Sequence, residues 1–278
     1  MADSMERSIL HLAPHPDDEL LGAPATLMAL RDERHRVFNL ACSLGSSDQH
    51  VRRRRELEAA MELAHFEWDA IDPPLPISAG DNLDEAKELL VGKVQDLVRR
   101  EGFDLIVSPT PHDGHHAHEV VGRAAAEAIA GLPNPPRWWM WGLWAELPFP
   151  TLFVPFDEAR LSEVLTCLEE HRCELARSNY LAVVDGRSRA ARVLGVERTF
   201  GFGEPKRDGP YAYLLDDRRQ YAELLTEVMR VDGEWFAASP RTPDFKEPLA
   251  SARPDFPIGW WLSERSVHER RRSLTARA

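Results

Sequence analysis

The alternation of short apolar strands with longer amphipathic helices is the feature that most constrains the fold of this chain. Three short segments have the apolar character of buried strands, at residues 8–12, 37–41 and 104–108. Apolar side chains recur at helical spacing in four longer segments, at residues 19–30, 49–65, 84–100 and 118–130. Strands that alternate with helices in this way are typical of βαβ units with a parallel sheet. We therefore predict an α/β fold with a Rossmann-like, open and mostly parallel sheet flanked by helices.

The length of 278 residues suits one large α/β domain. We expect residues 1–185 to form the α/β core of that domain. Residues 186–278 are richer in Arg, Pro and Gly, and we expect them to form a C-terminal extension packed on the core. One further amphipathic helix is predicted over residues 157–176, and a poorly ordered basic tail over residues 269–278.

The composition narrows the class of protein. With 43% hydrophobic and 29% charged residues the chain can form a sizeable core, and no run approaches the roughly 18 apolar residues of a membrane span. The formal net charge of −12 argues against nucleic acid or an anionic membrane as the main partner, because both attract a positive surface. Three cysteines without a CxxC pair argue against a disulfide framework. Because the N-terminus has no signal-peptide pattern, we expect a cytoplasmic protein.

A polar loop follows the first predicted strand, with the sequence Ala13-Pro14-His15-Pro16-Asp17-Asp18-Glu19. Ligands of open α/β sheets gather at the carboxyl ends of the strands, so this loop is expected to face the binding crevice. His15 and Asp18 offer an imidazole and a carboxylate that can converge on one divalent ion, which leaves Asp17 free to act as a base. The alternative is a polar turn in which one aspartate caps the next helix.

A second polar loop follows the strand at residues 104–108 and holds four of the eleven histidines within eight residues, Pro111-His112-Asp113-Gly114-His115-His116-Ala117-His118. Taken alone, it could be a solvated loop that binds metal adventitiously. Two loops with metal-binding side chains, each at the carboxyl end of a strand, favour a functional metal site instead.

These motifs resemble those of the LmbE-like, or PIG-L, N-acetylglucosaminyl deacetylases. Residues 13–19 are similar to the AHPDDE motif of that family, and residues 114–119 stand where the family carries GHPDH before a helix. Residues 53–57 (Arg-Arg-Arg-Glu-Leu) are similar to its RxxEL helix, and residues 79–83 (Ala-Gly-Asp-Asn-Leu) to its acidic DGxL loop. The resemblance implies a Rossmann-like fold and removal of an N-acetyl group from an amino sugar.

The resemblance also implies a metal centre. Its ligands would be His15, Asp18 and His118, with Zn²⁺ as the expected ion and Fe²⁺ as the alternative. Three protein ligands leave a fourth zinc position for a water molecule, whose pKa the ion lowers toward about 7. Asp17 matches the base that takes the remaining proton and passes it to the leaving amine.

Three further roles are implied by the family alone. His115 matches the histidine that polarises the carbonyl beside the metal, and Arg53 and Asp81 match residues that hydrogen-bond sugar hydroxyls. The second motif departs from the family pattern because Ala117 replaces the aspartate that would support His115. Asp113 and His116 are the two candidates to compensate.

We therefore expect a zinc-dependent amide hydrolase that acts on a small glycoconjugate. The sequence does not decide the number of subunits. Two alternatives remain: a non-haem iron oxygenase, because two histidines and one carboxylate also form its metal site, and a sugar-binding protein without catalysis. The tryptophan cluster at residues 138–144 could be a carbohydrate platform or a core strand. His171, on a predicted amphipathic helix, is expected to be a packed or surface residue.

Overall fold

The computed structural model describes residues 6–202 and 218–265. The strands within these ranges are β1 (Ser8–Ala13), β2 (Arg36–Ala41), β3 (Glu67–Ala70), β4 (Leu105–Pro109), β5 (Arg137–Trp141), β6 (Leu152–Phe156), β7 (Tyr221–Val231), β8 (Glu234–Ala238) and β9 (Pro254–Pro257). The helices are α1 (Asp18–Leu21), α2 (Pro24–Asp32), α3 (His50–Ala64), α4 (Leu83–Glu101), α5 (His116–Ala130), α6 (Glu158–Leu168), α7 (Arg172–Leu175), α8 (Tyr180–Phe200) and α9 (Gly259–Leu262), with a 3₁₀ turn at Ser47–Gln49.

The described strands form one mixed sheet in the order β3-β2-β1-β4-β5-β7-β8-β9, with β6 paired to β7. The first five strands are parallel to one another, and the strands after β5 pair antiparallel. β1 lies between β2 and β4, so the strand order reverses at this point. A crevice at the carboxyl ends of the strands opens at such a reversal. The predicted Rossmann-like α/β fold is confirmed.

Helices cover both faces of the parallel part of the sheet. The side chains of β1 alternate, so that Ile9 contributes to one apolar core and Leu10 and Leu12 to the other. The first core is closed by α2, α3, α6 and α8, and the second by α4 and α5. The nearly continuous apolar sequence of these strands follows from burial on both faces.

Two of the predicted helices are divided in the structure. The helix predicted over residues 19–30 forms α1 and α2, because Pro24 begins α2 and disfavours helical backbone at the preceding Ala23, whose φ is −145°. The helix predicted over residues 157–176 ends at Leu168 and resumes as α7 at Arg172. The second interruption places His171 at the N-terminus of α7.

The C-terminal part of the chain joins the sheet directly. Residue 185, where we expect the core to end, lies inside α8, and β7 pairs with β5 through Trp138↔Val228. The division into a core and an extension stays a prediction, and the expected basic tail at residues 269–278 lies outside the described residues. No helix in the described part of the chain is long and apolar enough to cross a membrane.

Candidate active site

A cavity of about 310 Å³ lies at the carboxyl ends of β1 and β4. The two motif loops that follow these strands form its floor, with His15, Asp17 and Asp18 from the first loop and His115 and His118 from the second. The strand order therefore brings together the two motifs that are about 100 residues apart in the sequence.

The three predicted metal ligands converge in this cavity. One donor atom from each of His15, Asp18 and His118 lies within 4.8 Å of the others. The Asp18 carboxylate is 3.3 Å from His15 Nδ1 and 3.2 Å from His118 Nε2. Donors about 2.1 Å from a shared Zn²⁺ ion in tetrahedral geometry would be about 3.4 Å apart, so these separations suit a divalent ion.

The second loop supplies a further carboxylate behind the ligand triad. Asp113 Oδ2 lies 2.8 Å from His118 Nδ1, and both side chains are buried. Burial lowers the pKa of His118, but the charges of Asp18 and Asp113 outweigh it and raise the pKa to about 10. A buried imidazole held between two carboxylates is typical of a histidine metal ligand, and the surplus negative charge would favour a cation.

Asp113 does not support His115, so this part of the sequence hypothesis is wrong. Its other oxygen, Oδ1, accepts hydrogen bonds from the backbone N–H groups of Leu143 (2.6 Å) and Trp144 (3.1 Å). One oxygen of the Asp113 carboxylate thus contacts His118, and the other contacts the backbone of residues 143 and 144. The carboxylate thereby links His118 to the cavity wall that carries Trp144.

His115 lies in the cavity between other aromatic rings. The ring centroids of His116 and Trp144 are 4.5 and 5.9 Å from its own, and both rings are nearly parallel to it. Its Nδ1 is buried and has no hydrogen-bond partner among the described residues. Burial and the nearby imidazoles, His118 first, lower the pKa of His115 to about 3, so its ring is neutral at pH 7.

Asp17 is buried beside the triad and adopts an unusual backbone conformation. Its φ of 119° lies in the left-handed region that non-glycine residues rarely adopt. Burial, followed by the charges of Asp18 and Glu174, raises the pKa of Asp17 well above its usual range. Strained backbone at a residue with a shifted pKa in a cavity is typical of a functional group.

The two predicted sugar-binding residues differ in position. Arg53 lines the cavity but is buried, where its Nη2 donates to the Pro16 carbonyl (3.1 Å) and pairs with Glu174 Oε1 (2.9 Å). Asp81 is not among the lining residues, and its carboxylate accepts from the Ser78 backbone N–H at 2.7 Å. Asp81 thus shapes a turn whose residues Ser78 and Ala79 reach the cavity.

The tryptophans of residues 138–144 differ in their exposure to solvent. Trp138, Trp139 and Trp141 are fully buried in the sheet, whereas Trp144 is 55% exposed at the cavity mouth. None of the described residues after residue 186 belongs to the cavity wall. The largely exposed Arg177 and the buried Tyr180 also line the cavity.

Two buried residues near the cavity, His171 and Glu174, lie outside the sequence motifs. His171 is indeed packed, with its Nε2 2.6 Å from Glu19 Oε1 and an exposure of 1%. Glu174 lines the cavity and pairs with Arg53. Sequence patterns do not reveal such pairs, because their members are more than 100 positions apart.

The sequence matches one family model over part of its length. Residues 10–129 match PIG-L, described as GlcNAc-PI de-N-acetylase. Both motif loops and the strands that carry them, β1 and β4, lie within this segment. Comparison with curated proteins gives no significant match.

Solved structures with the same fold share little sequence with this chain. Teicoplanin deacetylase, solved in a zinc-inhibited form, is 17% identical with a TM-score of 0.56 over 81% of this chain and 99% of its own. The N,N'-diacetylchitobiose deacetylase from Pyrococcus horikoshii is 18% identical with a TM-score of 0.53 over 82% and 84%. GalB, the 4-carboxy-2-hydroxymuconate hydratase from Pseudomonas putida, is 16% identical with a TM-score of 0.58 over 81% and 97%.

At these identities the structural likeness establishes the fold, and a hydratase among the neighbours means that the fold does not decide the reaction. The family assignment depends on the sequence match that contains both motifs. The match to the PIG-L model over residues 10–129 confirms the resemblance inferred from the motifs.

Proposed function

We propose that this chain is a metal-dependent hydrolase that removes an N-acetyl, or other N-acyl, group from a glycoconjugate containing an amino sugar. The observation that carries this proposal is the occurrence, in one cavity, of a two-histidine, one-carboxylate triad and a separate buried carboxylate, Asp17. A protein that only binds sugar has no need of a strained acidic group beside the metal ligands.

The metal would be held by His15, Asp18 and His118, with Asp113 orienting His118 from behind. Nitrogen and oxygen donors suit Zn²⁺, and the same set also suits Fe²⁺. Such an ion lowers the pKa of a water molecule and polarises a carbonyl oxygen, both of which amide hydrolysis needs. The negative charge around His118 supports a divalent cation at this place.

Asp17 would carry the proton through the reaction. Its carboxylate lines the same cavity as the triad and, by our assignment, is not needed as a ligand. Its raised pKa makes it a better proton acceptor than an ordinary aspartate, and a good donor to the leaving nitrogen in the next step. One side chain thus accepts a proton from the attacking water and returns it to the amine.

His115 would donate a hydrogen bond to the oxygen that becomes negative during attack. Its ring is neutral at pH 7, so this role requires one N–H rather than an imidazolium charge. A divalent cation on the neighbouring ligands would disfavour an imidazolium further, because like charges repel.

The cavity mouth suits a sugar attached to a larger group. Trp144 offers an exposed aromatic ring there, and Tyr180 and Arg177 offer hydrogen-bond donors. Contacts with a remote part of the substrate can orient the amide for attack, so a conjugated amino sugar should be deacetylated faster than the free monosaccharide.

Acetate release from a panel of N-acetylated amino sugars, free and conjugated, tests the proposal. We expect release that a chelator abolishes and that Zn²⁺ or Fe²⁺ restores. Both ions belong in the assay, since a structural neighbour is described in a zinc-inhibited form. Release that is unaffected by chelation would refute metal dependence, and binding of sugar without any release would favour the binding protein.

A further inference from the structure

The strained backbone at Asp17 is held by hydrogen bonds on both sides of one peptide group. The carbonyl of this peptide group, that of Pro16, accepts a hydrogen bond from Arg53 Nη2 at 3.1 Å. The N–H of the same peptide group, that of Asp17, donates to Glu19 Oε2 at 3.1 Å. A left-handed conformation is strained for a residue other than glycine, so it persists only where its surroundings fix it.

Each of these two holding side chains has a buried partner of its own. Glu19 pairs with His171 at 2.6 Å, with side chains 0% and 1% exposed. Arg53 pairs with Glu174 at 2.9 Å, and both side chains are 7% exposed. Buried polar groups lose much of their mobility when their hydrogen bonds are satisfied, because leaving one unpaired is costly.

Both partners come from the same short segment. His171 is the N-terminal capping residue of α7, Glu174 lies within that helix, and the Glu174 N–H donates to the His171 carbonyl at 3.1 Å. The imidazole of His171 thus contacts Glu19, and the carboxylate of Glu174 contacts Arg53. Glu19 and Arg53 in turn bind the Pro16–Asp17 peptide group.

We infer that His171 and Glu174 are positioning residues that hold the Asp17 carboxylate in its place for proton transfer. The inference rests on the proposed function, in which Asp17 is the base. It gives α7 a role in the reaction, although no residue of α7 belongs to the two motifs. A displacement of about 1 Å at a reacting group can lower a rate by about 100-fold, so the holding contacts matter for turnover.

The test uses the metal-loaded, full-length protein and three variants of the His171 pair. His171→Leu removes the donor to Glu19, and His171→Gln keeps a donor of similar reach. In the double variant Glu19→Leu/His171→Leu neither partner remains, so no buried carboxylate is left without a donor, but the Asp17 N–H still lacks its acceptor.

We expect kcat to fall about 10–100-fold in His171→Leu with KM within about threefold of wild type. His171→Gln should recover kcat to within about fivefold of wild type. The double variant should unfold at a higher temperature than His171→Leu while its kcat stays low. All three should retain about one metal ion per chain, because His171 and Glu19 are not assigned as ligands.

His35 provides the matched control. It is a buried histidine just before β2, at the opposite end of the sheet, where Nε2 contacts the Phe245 carbonyl (2.7 Å) and Nδ1 accepts from the Arg7 N–H (3.1 Å). His35→Leu should lower the unfolding temperature and leave kcat within about twofold of wild type.

A crystal structure of the double variant supplies a readout that does not depend on turnover. We expect Asp17 to leave its left-handed conformation and its carboxylate to move away from the triad. An unmoved Asp17, or wild-type kcat in a folded and metal-loaded double variant, would overturn the inference. If the wild-type protein releases no acetate from any substrate, the proposed function fails, while this structure still tests the positioning.

Discussion

The two loops that form the site hold their functional side chains in different ways. In the first loop (residues 13–19), two buried ion pairs hold the peptide group that precedes Asp17. In the second loop (residues 111–118), the buried carboxylate of Asp113 supports one of the two cavity histidines. Asp113 contacts the ligand His118, whereas His115 touches aromatic rings and its Nδ1 has no partner among the described residues.

This difference follows from one exchanged residue in the second motif. The family pattern places an aspartate at position 117, but Ala117 is buried in the first turn of α5 and offers no charge. The carboxylate of the second loop comes from Asp113 and faces His118. In this chain the carboxylate of the second loop therefore supports His118, a predicted metal ligand, rather than the charge on His115.

The largest effect is expected from the ligands, which both loops supply. Replacing His15, Asp18 or His118 by Ala should reduce the metal content from about one ion per chain to near zero, because two remaining ligands bind weakly. Metal analysis of the purified variants measures this. His116→Ala, which removes a neighbouring histidine outside the triad, is the control and should keep its metal. Full metal content in all three ligand variants would contradict the site.

Asp17→Asn should have the next largest effect, and it tests whether the first loop supplies the base. It keeps the size of the side chain and removes the proton acceptor, so kcat should fall by about 10²–10⁴-fold. Metal content should be unchanged, which separates the base from the ligands. Turnover like that of wild type on a substrate from the acetate-release panel would assign the base to another residue.

Asp113→Asn tests the role of the second loop in metal binding. Loss of the carboxylate behind a histidine ligand lowers metal affinity by about 10–100-fold, and we expect a decrease of this size in a competition titration with a chelator. Asp17→Asn serves as the matched control, because it also exchanges a buried carboxylate for an amide. Equal affinities in the two variants would show that Asp113 does not support the ligand.

The smallest effect is expected at the cavity mouth. Trp144→Leu should raise KM for a conjugated amino sugar by about 2–10-fold, as expected for the loss of one aromatic contact. The rate on the free sugar should change little, since that substrate does not reach the rim. Trp260→Leu, at a tryptophan 62% exposed on α9, is the control. If KM for the conjugate does not change, Trp144 is not part of the binding surface.

The sequence by itself determined the α/β class and the side of the sheet on which the predicted metal ligands lie. Strand and helix periods gave the βαβ order, because side chains of a buried strand and an amphipathic helix repeat at different intervals. Each motif lies directly after a strand, so the direction of that strand fixes the end of the sheet at which the motif is placed. The parallel neighbours β1 and β4 then bring His15, Asp18 and His118 together.

Only the tertiary structure decided how the remaining side chains are used. Glu19 and His171 are 152 positions apart, and Arg53 and Glu174 are also distant, so no local pattern predicts that they pair. The direction of Asp113 depends on the N–H groups of residues 143 and 144, which another loop brings to it. The direction of a loop side chain is set by the segments packed against it, and those segments come from distant parts of the chain.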